Sequence, residues 1–80
     1  LKKYSIEPDE LQNFSAKYSL TTREEEIVKL LVLGKTNNDI ATNLFISAHT
    51  VRTHIQNIAE KLNVKSKLEI LSLFHSQRNN

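Results

Sequence analysis

A single glycine and a single proline, Gly34 and Pro8, punctuate 80 residues. Hairpin turns draw on these two residue types, so a chain this poor in both has little means of joining short strands. A sandwich or barrel is disfavoured and an all-helical fold is expected. Cysteine is absent, which removes disulfides, thiolate zinc sites and cysteine nucleophiles and leaves packing to supply the stability. With 39% hydrophobic and 25% charged residues, the composition is that of an ordinary folded chain rather than a disordered one. Its length suits one small domain, not the separate lobes of a typical enzyme. The longest uninterrupted apolar run, Leu30 to Leu33, is far short of the roughly 20 residues that span a membrane. No membrane association is expected, and a cytoplasmic location is. Methionine is absent and Leu1 comes first, which points to a fragment of a longer protein.

Caps and periodicity divide the chain. Pro8, Asp9 and Glu10 followed by Leu11, Phe14 and Tyr18 have the proline, the acids and the apolar spacing of a first helical turn and its stripe. Residues 1–19 are therefore either a linker ordered by contact with a missing domain or an N-terminal extension carrying a short helix from about Pro8 to Lys17. From Leu20 the signals sharpen. Thr21 and Glu24 form a capping box opening a helix that carries Ile27, Leu30 and Leu31 and stops at Gly34. Thr36 or Asn37 caps a short helix with Ile40, Ala41 and Leu44. Ser47 then caps a third after only about three residues of connection. Its stripe is Val51, Ile55, Ile58, Ala59 and Leu62, and it ends at Asn63, the non-glycine residue best suited to a left-handed cap. Ser66 and Glu69 fit a capping box for a fourth helix. Leu68, Ile70, Leu71, Leu73 and Phe74 exceed what one face of that helix needs, which implies a second buried face. Phe45, in the turn before Ser47, is expected to plug the packing there rather than to stack on a base.

Charge is unevenly placed. Residues 1–44 hold six Lys/Arg and seven Asp/Glu, a net −1, and residues 45–80 hold five and two, a net +3, so the chain's formal net charge of +2 comes from its C-terminal half. That balance invites an anionic partner such as nucleic acid. At about 100° per residue, the side of the third helix opposite its stripe presents His49, Thr53, Gln56 and Glu60, with Arg52 on one shoulder. Thr50, His54, Asn57 and Lys61 lie on the other. Arg and Gln read guanine and adenine edges bidentately in a major groove, and Thr can meet a thymine methyl. The flanking polar side chains can donate to phosphates. A solvated face is the bland alternative. Against it stands the arrangement itself, a short capped helix, a tight turn and a polar-faced helix, which is that of a helix-turn-helix.

Four segments in order carry a resemblance: Leu20–Ile27 (LTTREEEI), Gly34–Ala41 (GKTNNDIA), Ile46–Ile55 (ISAHTVRTHI), and Asn57–Ile58 with Lys61–Lys67 (KLNVKSK). Over residues 20 to about 76 the chain resembles the LuxR-type (GerE, NarL/FixJ) DNA-binding domain of bacterial transcription regulators, including response regulators. The resemblance implies a four-helix domain over residues 20–80 whose third helix enters the major groove of double-stranded DNA and whose fourth pairs two subunits. By position Arg52, Thr53 and Gln56, with His49 beside them, are implied to read bases. Thr50 and His54 fall on backbone-contacting or scaffold positions. Lys35, Asn37, Ser47 and Lys61 are further phosphate candidates. Leu68, Leu71 and Phe74 are expected to divide between core and dimer contact. The further partners implied are RNA polymerase and an N-terminal sensor or receiver domain. The chain departs from the family pattern at Thr22, where proline is frequent, at Asn63, where glycine is usual, and at Gln56 and Lys67, where some relatives carry Lys and Arg.

Two other readings of the same residues are a sigma-factor-like promoter-binding domain and a helical protein-interaction module that docks a partner on its fourth helix. An enzyme is disfavoured. His49 and His54 are five apart and diverge on a helix, so they make no metal pair. No glycine-rich phosphate loop is possible with one glycine. Glu24, Glu25 and Glu26 sit where helix-capping acids belong. No cofactor or metal is expected.

Overall fold

The computed structural model describes residues 6–78. Five helices follow one another, α1 Pro8–Tyr18, α2 Thr22–Val32, α3 Asn37–Leu44, α4 Ala48–Leu62 and α5 Lys67–Arg78, and there is no strand among the described residues. The four expected helices are α2 to α5. The N-terminal segment is a helix too, one residue longer than the spacing suggested.

Each start is capped by a side chain near in sequence. Glu7 N–H donates to Glu10 Oε1 at 3.0 Å ahead of Pro8, whose missing N–H costs nothing at a first helical position. Thr21 and Glu24 exchange bonds of 2.9 and 3.1 Å. Thr36, rather than Asn37, caps α3 and exchanges bonds with Asp39, both 3.1 Å. Ser47 Oγ accepts from Thr50 N–H at 3.0 Å. At α5 only half of the expected box forms. Ser66 Oγ accepts from Glu69 N–H at 3.2 Å, but the Glu69 carboxylate accepts from Lys65 N–H at 2.6 Å.

The ends of α1 to α4 share one closure, in which an N–H beyond the helix returns to a carbonyl five residues back. Leu20 reaches Ser15 O, Lys35 reaches Leu30 O, Ile46 reaches Ala41 O and Val64 reaches Ala59 O, at 2.9–3.0 Å. This closure needs a left-handed residue. Gly34 (φ 87°) supplies it at α2, but Ser19, Phe45 and Asn63 (φ 57–59°) supply it elsewhere. Asn63 does what its chemistry suggested. Phe45 does not. Expected to plug the turn, it is 94% exposed, because a left-handed residue at a helix end swings its side chain clear of the turn that it closes.

All five helices fill one core. Phe14, Ile27, Val28, Ile40, Val51, Ile58, Ile70 and Phe74 are essentially sealed from solvent, each contributing about 1.5–3 kcal/mol by burial. α1 is part of this core rather than an appendage. Its Phe14 ring meets Phe74 of α5 edge-on at 5.1 Å and Tyr18 at 5.0 Å, and Gln77 Nε2 donates to Glu10 O at 3.1 Å. Phe74 is therefore a core residue and not a dimer contact. Of the three residues proposed for pairing, Leu68 is 75% exposed and Leu71 half-buried.

Candidate nucleic-acid interface

α3 lies closely against α4, anchored by Ile40 and Ala41 against Val51 and Ile58 in the shared core. With Val51, Ile58, Ala59 and Leu62 of α4 in that core, the opposite side of the helix looks outward. His49, Arg52, Thr53, Gln56 and Asn57 are exposed, and Thr50, His54 and Ile55 are half-buried. Thr53 Oγ1 donates to His49 O at 3.2 Å, which commits its hydroxyl proton to the helix backbone. Glu60, near the far end, is the single acid of the helix.

A groove of about 430 Å³ runs along this face. One wall is His49, Arg52, Thr53 and Gln56, the four residues proposed from the sequence to read bases. Asn37 of α3 joins them. The other wall is the α4–α5 turn, with Lys65 and Ser66, and Lys67 at the start of α5, and the floor is Ile55 and Ala59. Lys67 Nζ donates to Asn37 Oδ1 at 3.2 Å, spanning the mouth from the start of α5 to the start of α3.

The other phosphate candidates lie around this centre. Ser47 and Thr50 begin α4, their hydroxyls bonded to each other at 2.9 Å. Lys35 is exposed in the α2–α3 turn, and His54 lies on the far shoulder of α4. Lys61 is held elsewhere. Its ammonium donates to Glu24 Oε1 at 2.7 Å and to Ser19 O at 3.1 Å, tying the last turn of α4 to the start of α2. A phosphate contact there would strip a carboxylate that is only 5% exposed of its counter-charge, so Lys61 belongs to the scaffold. Burial pushes the Glu24 carboxyl up, but the Lys61 hydrogen bond and charge and the Thr21 bonds outweigh it and hold the group below its ordinary value. The Thr36 backbone N–H, then its side chain, lower Asp39 in the same way at the start of α3.

Sequence reasoning missed Lys65 and Lys67 as site residues. The signal was the basic excess after residue 44, but a turn gives no periodicity from which to infer the direction of its side chains. Among the described residues no helix is long and apolar enough to cross a membrane.

The comparisons with known proteins bear on this arrangement. Residues 18–74 match the family described as "Bacterial regulatory proteins, luxR family". The chain is 50% identical over 56 residues to the spore germination protein GerE of Bacillus subtilis, covering 70% of this chain and 76% of GerE. It is 47% identical over 53 residues to the CsgBAC operon transcriptional regulatory protein of Escherichia coli, covering 66% of this chain and 24% of that protein. It is 44% identical over 59 residues to a nitrate/nitrite response regulator protein homolog of Haemophilus influenzae, covering 74% of this chain and 28% of that one. The chain thus spans about three quarters of GerE and about a quarter of the other two. No solved structure gave a significant match. A helix-turn-helix of α3 and α4 and a family match over most of the chain agree, and the chain belongs to the luxR family of bacterial regulatory proteins.

Proposed function

We propose that this chain is the DNA-binding unit of a transcription regulator, and that it reads duplex DNA by placing α4 in the major groove. One observation carries the reading: His49, Arg52, Thr53 and Gln56 form one exposed wall of a groove with no acid in its lining. Arg52 and Gln56 are the bidentate base readers, Thr53 and His49 supplement them, and Ser47, Thr50, His54, Asn37 and Lys35 serve the phosphates. Two copies pair through Leu68 and Leu71 of α5 on an inverted repeat. The family and the relatives named as operon regulators and response regulators support this reading. In the full regulator a further domain would supply the signal and RNA polymerase the output.

Selection from a random duplex pool at two salt concentrations, with Arg52→Ala alongside, tests the reading. We expect an inverted-repeat motif, and a loss of about 1–3 kcal/mol on that site with blurred specificity for Arg52→Ala. Enrichment of nothing beyond a salt-sensitive background, equal for both proteins, would overturn it.

A further inference from the structure

We propose that the groove beside α4 seats the sugar-phosphate backbone of one DNA strand, with Lys65 of the α4–α5 turn and Lys67 at the start of α5 as its phosphate clamp. The inference rests on the reading of α4 as the DNA-reading helix and adds a strand and a set of contacts to it.

Three observations converge. First, the two walls differ in chemistry. Arg52 and Gln56 on one side suit base edges, whereas Lys65 and Lys67 on the other are point charges with rotatable donors, suited to phosphate oxygens. The floor between them, Ile55 and Ala59, is apolar and suits the carbon face of a deoxyribose. A strand lying along the groove would meet bases, sugar and phosphate in the order in which DNA presents them.

Second, Lys67 is half-buried, yet its ammonium is met by a neutral amide, Asn37 Oδ1 at 3.2 Å, and among the described residues it has no ion pair. Lys61, the other lysine that bridges two helices, has a carboxylate at 2.7 Å. A partly buried ammonium without a counter-charge has lost part of its hydration, and an anion in the groove would restore what a neutral amide cannot. The amide holds the head group in place while leaving its charge uncompensated.

Third, the acid in the first turn of α5 is occupied. Glu69 accepts from Lys65 N–H at 2.6 Å and its own N–H donates to Ser66, so its carboxylate is committed to the backbone of the turn. The backbone of the turn is thereby tied to the first turn of α5. A phosphate held by the clamp sets how far along the major groove α4 sits, and so which bases Arg52 and Gln56 meet.

The test is a scan of the selected duplex in which each phosphate in turn is replaced by a neutral methylphosphonate. The 80-residue chain is compared with Lys65→Gln/Lys67→Gln, and circular dichroism confirms that both fold. For the parent chain we expect one phosphate, or two adjacent ones on the same strand of each half-site, whose neutralisation weakens binding roughly ten-fold. The double variant should be indifferent at those positions and still sensitive elsewhere, and its salt slope should be shallower by about 1.8. A variant that keeps the parent's full pattern of sensitive phosphates would overturn the clamp while leaving DNA reading by α4 intact. Failure of the parent chain to select any duplex would remove the reading on which the clamp rests, and the clamp with it.

Discussion

Three residues turn the backbone left-handed without being glycine, and they do not carry the same burden. An L-residue in that conformation is strained by roughly 1–2 kcal/mol because Cβ crowds the following carbonyl. Asn63 is the residue type that tolerates it best, and Ser19 is small. Phe45 is neither, and with its ring 94% exposed it recovers nothing by packing. We expect Phe45→Gly to raise stability by about 0.5–1 kcal/mol, the relief of strain less the greater freedom of glycine in the unfolded chain. For a domain of this size that is about 2–6 °C in Tm, read by thermal melting; an unchanged or lower Tm would show that the ring is anchored. Asn63 was legible because its own chemistry matches the cap. Phe45 was not, because its direction is imposed by a bond between two neighbours, Ile46 N–H to Ala41 O at 3.0 Å, and residue type alone says only that an aromatic ring prefers burial.

Helices announce themselves locally, and what joins them does not. Thr21, Glu24, Thr36, Ser47 and Ser66 could be read as caps because each partner lies three residues away. The third partner of Glu24 lies 37 residues on, beyond any pattern, and Lys61 was therefore read as a free phosphate donor. The wall proposed to read bases was legible for the reason the caps were, since helical period places His49, Arg52, Thr53 and Gln56 together; the opposite wall, built on the α4–α5 turn and the first residue of α5, was not. The ion pair makes its own prediction. Lys61→Met should cost about 1–2 kcal/mol of stability, by leaving a nearly buried carboxylate without its donor, and should leave the salt slope of DNA binding unchanged. Because the Glu24 carboxyl is lowered in the fold, the pair's contribution is complete above the unfolded value near 4.5 and fades as pH falls through the folded value. Denaturant titrations of both proteins from pH 7 to pH 3 should show the gap closing on the acid side. A gap independent of pH would assign the loss to the Lys61 stem rather than its charge.

At the scale of the whole molecule, α5 has an inner face and an outer one. Its inner face belongs to the core, where Phe14 of α1 covers Phe74 at 5.1 Å and Ile70 is sealed. With α1 docked there, Leu68 is left on the outer side with Leu71 three residues on, one turn apart at helical spacing. An apolar side chain kept at 75% exposure is an ordinary surface residue in isolation; in a unit that pairs on an inverted repeat it is the first contact across the two-fold axis, made twice. Leu68→Asp separates the possibilities, because an exposed position can be changed without disturbing the fold. The melting curve should stay within about 0.5 kcal/mol of the parent. Binding to a single half-site should be unaltered, since α4 and the groove are untouched. Binding to the full inverted repeat should fall by roughly ten-fold or more, because placing two carboxylates at the axis removes the linkage that makes the second half-site cheap to occupy. Titrations of the two duplexes by mobility shift or fluorescence anisotropy read the difference directly. Equal affinity of parent and variant for the full repeat would place the pairing surface away from the exposed face of α5.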